Sequence, residues 1–218
     1  SYMPRVHGDA FIHLDQTDYI IEHDEPILNF ESKVSDDIAL RIGKYAVKII
    51  NDGDTIQVGY GSVPNAILTA LENKKHLGVH TELLTPGLVE LLRAGVIDNS
   101  RKSINRGKVI ATFCMGRKST YEFIHDNPCI EFRRIEYVNN PLVIAQNDNM
   151  TAINSALQLD LTGQATAESI GQTFFSGIGG SADFMRGALL ARGGKTILLV
   201  QSTARDGEVS RIVPFLEG

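Results

Sequence analysis

From Ser35 onward the apolar residues alternate between two spacings, three or four apart and then in short unbroken runs. Ser35 followed by Asp36 and Asp37 predicts a helix start, with an N-cap oxygen and acidic residues in the first turn. Ile38, Ile42, Ala46 and Ile49 then hold helical spacing as far as Asp52 and Gly53. TIQVGYG (55–61) reads as a strand entering a glycine turn, and VPNAILTALENKK (63–75) as a helix with Pro64 in its first turn. The same alternation continues: strand LGVHTEL (77–83), helix PGLVELLRAGVI (86–97), strand GKVIATFCMG (107–116) and helix KSTYEFIHDN (118–127). IEFRRIEYV (130–138), TAINSALQLDLTG (151–163) and FFSGIGG (174–180) look strand-like and glycine-rich, before a last helix ADFMRGALLA (182–191) and strand KTILLV (195–200). Strands too uniformly apolar to face water, separated by helices, predict an α/β fold with a largely parallel sheet flanked by helices.

Residues 1–30 do not share this rhythm. They hold strand-like fragments, FIHL and YIIEH, with no partner nearby in sequence, and are expected to be the tail of a preceding domain plus a linker, with Pro26 marking the crossing. The remainder, 31–218, is expected to be one large domain.

Candidate chemistry lies where strands meet turns. GYGSVPNA (59–66) sits between a strand and a helix, where missing Cβ atoms allow close backbone approach and free N–H groups face an anion; a plain tight turn is the alternative. The dinucleotide fingerprint is only partly met, because Pro64 stands at the third glycine position. In SGIGGSADF (176–184), Gly177, Gly179 and Gly180 could gather N–H groups around one oxygen, or could serve a helix entry that needs positive φ. On a strand over 77–83, alternation puts His76, His80 and Glu82 on one face and Leu77, Val79 and Thr81 on the other. His76 and His80 would then stand ~13 Å apart, too far to share a metal ion. A carboxylate at the carboxyl end of an inner strand remains, which is where open α/β sheets place ligands; a solvated strand-end glutamate is the plainer alternative. Ser62 and Ser176 lack a histidine at any hydrolase spacing, Cys114 within VIATFC reads as core, and Asp160 is placed to cap a turn at Gly163.

Composition narrows the classes of function. With 43% hydrophobic and 22% charged residues in 218, the chain can bury a real core. A formal net charge of −5 gives no long-range attraction for nucleic acid, and the basic group Arg101, Lys102, Arg106 and Lys108 reads first as a solvated loop. No apolar stretch approaches the roughly 20 residues of a membrane helix. Cys114 and Cys129 cannot make a disulfide framework, so reduced thiols and a cytoplasmic location are expected.

Five ordered blocks carry a further signal: QVGYGSVPNAILTAL, KKHLGVHTELLTPGLVELLRAGVID, NPLVIAQNDNMTAINSALQLDLTGQATAESIG, FFSGIGGSADFMRGA and SRIVPF. Together they resemble the acetyl-CoA hydrolase/transferase family, close to the butyrate and 4-hydroxybutyrate CoA-transferases. The resemblance implies a CoA-transferase-like (NagB/RpiA-like) domain in which the glutamate of the His-Thr-Glu block, Glu82, is the catalytic nucleophile. It implies that Gln57, Val58, Gly59, Tyr60 and Gly61 line the CoA site, that backbone N–H groups at Gly179 and Gly180 hold CoA or an oxyanion, and that main chain near Leu157 and the basic side chain of Arg205 contribute. It implies coenzyme A or acyl-CoA as substrate with a short-chain carboxylate as acceptor, no tightly bound cofactor, and no metal, membrane or nucleic-acid partner; a homo-oligomer is compatible with it. Hydrolysis of acetyl-CoA on the same fold and a non-catalytic acyl-CoA-binding module are the competing functions. Family members carry an N-terminal domain of the same general fold, of which residues 1–30 would be the last stretch, and continue past SRIVPF. The acyl site is thereby expected between two domains, and activity is expected to require both.

Overall fold

A computed structural model describes residues 3–31 and 35–216. The expected junction after residue 30 leads into residues 32–34, which lie outside the described residues.

The first helix, α1 (Asp37–Ala46), opens one residue later than Ser35 predicts. Asp36 is the cap, accepting from the Ala39 N–H at 2.7 Å, while the Ser35 hydroxyl donates instead to the Ser62 carbonyl at 2.8 Å. The inward face also differs from expectation: Ala39, Gly43 and Ala46 are buried, whereas Ile38 and Ile49 are each about half exposed (51% and 52%). The cause is the closeness of the next helix, since a Cβ on Gly43 would fall 2.9 Å from the Ala66 carbonyl oxygen. Only small residues fit that crossing, so Ile38 and Ile49 are turned outward while Ile42 packs at the edge of the core. Removing the cap through Asp36→Ala should cost about 1 kcal/mol of unfolding free energy, read as a lower urea midpoint with unchanged slope.

Strand β1 (Thr55–Val58) follows, buried throughout, then α2 (Ser62–Ala70), entered through Gly61 at φ 139°. The single strand expected over 77–83 is two, β2 (Gly78–Val79) and β3 (Leu83–Leu84), and α3 (Pro86–Arg93) comes after them. The next expected strand splits likewise into β4 (Val109–Ala111) and β5 (Phe113–Cys114), before α4 (Lys118–Ile124). Both splits are one feature. β2 pairs with β1, but β3 pairs with β5, so the chain changes neighbour at Thr81 and Glu82. There the Glu82 carbonyl accepts both the Thr112 and the Phe113 N–H, at 2.9 and 3.1 Å.

Of the run expected as a strand over 130–138, only β6 (Ile130–Phe132) is extended; α5 (Ile135–Val138) is a helical turn, followed by α6 (Pro141–Ile144). The neighbouring β4 ends at Ala111, whose carbonyl takes the Arg133 N–H at 2.8 Å, so nothing remains for residues 135–138 to pair with. β7 (Met150–Ser155), β8 (Gln158–Asp160), α7 (Ser181–Leu190), β9 (Lys195–Leu199) and β10 (Ile212–Val213) complete the main framework.

The central sheet is parallel in the order β9-β7-β1-β2, and His80 bridges Ile110 to continue it toward β4 and β6. The α/β expectation thus holds: a mostly parallel sheet is covered by helices. One core packs α1, α2 and α3 against the sheet, and a second surrounds Phe184, Ile144 and Met150. The two cores place β1 and β7 side by side with their carboxyl ends toward one side of the molecule. No helix of the described residues is long and apolar enough to cross a membrane.

Two local expectations need correction. FIHL and YIIEH form no strands; the paired segment of the N-terminal stretch is His7–Gly8, alongside β6, and pairing stops because β6 ends at Phe132. Lys102 is not in a solvated loop: it is 3% exposed, and its Nζ donates to the carbonyls of Val79 and Lys108, each at 2.8 Å. Asp160 does cap its turn, accepting from the Thr162 N–H at 2.9 Å and the Gln164 N–H at 3.0 Å, with Gly163 at φ 88°.

Candidate active site

A cavity of about 340 Å³ opens where the strands end, lined by residues from β1, β7, the β2–β3 junction and the glycine loop before α7. This is the crevice outside the carboxyl ends of parallel strands where α/β sheets bind ligands. Gln57, Val58, Gly59 and Tyr60 form one wall, Glu82 and Leu83 the next, and Ser176, Gly177, Gly179, Gly180 and Ser181 the third. Segments distant in sequence therefore converge on one space.

Glu82 owes its position to the change of strand partner. Its backbone is pinned by the two N–H groups described above, and its side chain crosses to the start of α7, where Oε2 accepts from the Asn139 Nδ2 at 2.7 Å. A Cβ added to Gly180 would fall 2.1 Å from that same Oε2 and 2.3 Å from Asn139 Nδ2. Gly180 is therefore a close-approach glycine. Gly177, Gly179 and Gly180 do not take positive φ, which corrects the alternative of a left-handed helix entry. Gly180 caps α7 without any side-chain cap, and the first N–H groups of a helix have no intrahelical acceptor, so the end nearest Glu82 is a region of unsatisfied donors and positive dipole.

The remaining polar groups are amides. Gln57 and Asn154, both at least 95% buried, exchange reciprocal bonds of 3.1 and 3.0 Å across β1 and β7. A Cβ on Gly59 would meet the Asn154 Oδ1 at 2.9 Å, so this glycine too is required by proximity. Tyr60 stands at the mouth, edge-on to Phe30 at 5.6 Å. Among the described residues no lysine, arginine or histidine lines the cavity, while Glu168 adds a second carboxylate.

Not every predicted site residue is brought in. Gly61 is held back at the entry to α2, the Leu157 N–H is occupied by the Thr166 carbonyl at 2.7 Å, and Arg205 is exposed in a short 3₁₀ turn. None of these three lines the cavity. Asn139 is the residue that sequence reading missed. In the pair Asn139-Asn140 before Pro141, Asn140 caps α6 by accepting from the Leu142 N–H at 2.9 Å, and such a pair reads as ordinary helix-start chemistry. Only the fold shows that its neighbour reaches Glu82.

The other candidates lie elsewhere. His76 pairs with Asp98 at 2.7 Å on the surface, and burial pushes the Cys114 thiol up to about 12. His80 is wholly buried, its Nε2 2.8 Å from the Val138 carbonyl. Burial first, and the nearby Lys102 charge second, push its imidazole down to about 4, so the ring is neutral at pH 7 and Nε2–H is the donor.

Residues 116–218 match the model for the acetyl-CoA hydrolase/transferase C-terminal domain. The chain is 48% identical over 215 residues to a 4-hydroxybutyrate coenzyme A transferase of Clostridium kluyveri, an alignment covering 99% of this chain and 50% of that protein. Among solved structures, a 4-hydroxybutyrate CoA-transferase from Porphyromonas gingivalis is similar at 42% identity and a TM-score of 0.89, covering 99% of this chain and 51% of the other. RipA from Yersinia pestis is similar at 41% identity and 0.91, covering 100% and 48%. The chain thus spans about half the length of the relatives it matches.

Proposed function

Since the chain belongs to the acetyl-CoA hydrolase/transferase family, we propose that it carries the catalytic glutamate of a CoA-transferase that moves CoA between a short-chain acyl-CoA and a carboxylic acid. One observation supports this most: the Glu82 carboxylate lies in the strand-end cavity against the bare backbone of Gly180 and the amide of Asn139.

The chemistry follows from that placement. A Glu82 carboxylate oxygen attacks the thioester carbonyl, the C–S bond breaks, and CoA leaves as thiolate, giving an acyl-glutamyl anhydride. The thiolate then attacks the glutamyl carbonyl and releases the first acid, leaving a glutamyl-CoA thioester. An acceptor carboxylate attacks that thioester to form a second anhydride, and the thiolate returns to the new acyl carbon, regenerating the Glu82 carboxylate. No water is consumed, and the thioester energy is retained. Each addition places negative charge on an oxygen beside Glu82, where the Asn139 amide and the N–H groups opening α7 meet it.

Residues 31–218 would then be the C-terminal catalytic domain and 1–30 the end of a preceding one, whose bulk would close the acyl side of the cavity. The names of several relatives favour acids of the butyrate and 4-hydroxybutyrate kind as substrates.

The test uses the whole protein that contains this chain. Incubation with acyl-CoA, followed by borohydride or hydroxylamine, should modify the peptide containing Glu82; an unmodified peptide from enzyme shown to be active removes the proposal. Product analysis with and without acetate separates transfer from hydrolysis. Gly180→Ala should displace the carboxylate and lower kcat about 100-fold in a protein that still folds, and activity within threefold of the parent would show that close approach to the backbone is dispensable.

A further inference from the structure

His80 is fully buried, does not line the cavity and is unused by the mechanism above, yet it meets the segment that carries Asn139 and the helix that opens at Gly180. It stands two residues before the carboxylate on the same segment. Its Nε2 donates to the Val138 carbonyl at 2.8 Å, and the next residue is Asn139, whose amide grips Glu82. The Asn139 N–H is tied to the Ile135 carbonyl at 2.9 Å, so the single peptide unit joining Val138 to Asn139 is held at its N–H by α5 and at its carbonyl by His80. The ring also packs edge-on against Phe184 at 6.1 Å, on the helix that starts at Gly180, and beside Tyr137 at 6.3 Å. Its Nδ1 is buried with no partner among the described residues. An apolar side chain would fill this place without leaving a buried nitrogen unmet, so packing alone does not account for an imidazole.

Resting on the reading of Glu82 as nucleophile, we infer that His80 is a positioning residue: by holding the Val138 carbonyl it sets the Asn139 amide at bonding distance from the Glu82 carboxylate. It touches no substrate and exchanges no proton. Its influence reaches the reacting oxygen through one peptide unit.

The experiment compares His80→Leu, which keeps bulk and loses the donor, with His80→Gln, whose amide nitrogen can reach the same carbonyl, in the whole protein. Leucine should lower kcat about 10- to 100-fold with KM for acyl-CoA within twofold, and glutamine should recover most of the loss. Equal losses in both folded variants, a wild-type kcat for leucine, or a defect confined to KM would each overturn the inference. A readout without turnover stands beside it: the Asn139 side-chain amide should give an exchange-protected, shifted NMR signal that disappears in His80→Leu and persists in His80→Gln. If the wild type transfers no CoA but this signal still follows His80, the transferase reading fails and the positioning role stands. If neither variant folds, the nitrogen shifts of wild-type His80 decide, since a proton on Nδ1 rather than Nε2 is incompatible with the Val138 bond.

Discussion

Glu82→Gln should lower kcat for CoA transfer by roughly 10⁴-fold or more, equivalent to about 5 kcal/mol of barrier, while the affinity for acyl-CoA changes less than fivefold. The amide has the volume and hydrogen-bonding reach of the carboxylate, so the Asn139 contact and the cavity walls survive the change. In the proposed mechanism, what is lost is the nucleophilic oxygen pair, without which neither anhydride nor glutamyl thioester can form. A mutation that removes only the reacting group leaves ground-state binding in place and acts on the chemical step. Acyl exchange kinetics beside calorimetric binding of acyl-CoA measure the two halves of this expectation. Residual turnover above a few per cent, with genuine glutamine at position 82 verified by mass spectrometry, would mean that the carboxylate does not react.

Lys195→Met should lower the unfolding free energy by roughly 3 kcal/mol or more. Asp54, 2% exposed at the mouth of β1, accepts from the Lys195 Nζ at 2.5 Å, the Thr151 hydroxyl at 3.1 Å and the Asn51 N–H at 2.9 Å. That carboxylate joins the starts of β9, β7 and β1, the strands whose other ends frame the cavity. Taking the ammonium away leaves a buried charge with only neutral donors, and the cost is that of the unpaired charge rather than of the pair. Adding Asp54→Asn to Lys195→Met should therefore restore at least half of the loss. Urea unfolding of the single and double variants checks this, and additive losses would show that the two side chains act independently.

The alternation of elements was legible because its cause is local. Apolar spacing, a polar cap followed by acidic residues near Ser35 and glycines after strands all act within a few residues, and the parallel α/β sheet follows from them. Departures from that reading have non-local causes. Which face of α1 turns inward depended on how closely α2 approaches Gly43, and the strand over 77–83 broke because two different neighbours wait on either side of Glu82. Lys102 passes for a surface residue until the carbonyls of Val79 and Lys108 are brought to its ammonium.

The site divides in the same way. A carboxylate among strand residues just before a turn, and glycine loops before two helices, are visible in the order of residues, because turns and helix entries are properties of short segments; that Glu82 joins two strands rather than ending one is not. The grip of Asn139 on Glu82 spans 57 positions and the His80–Val138 bond 58, and neither segment carries a local mark of the other. By itself the chain's order determined that helices and strands alternate in a parallel α/β pattern and that a carboxylate stands where strand text gives way to a turn. Which groups surround that acid was decided by folding, since hydrogen bonds and van der Waals contacts act over a few ångströms and only packing brings distant residues that close.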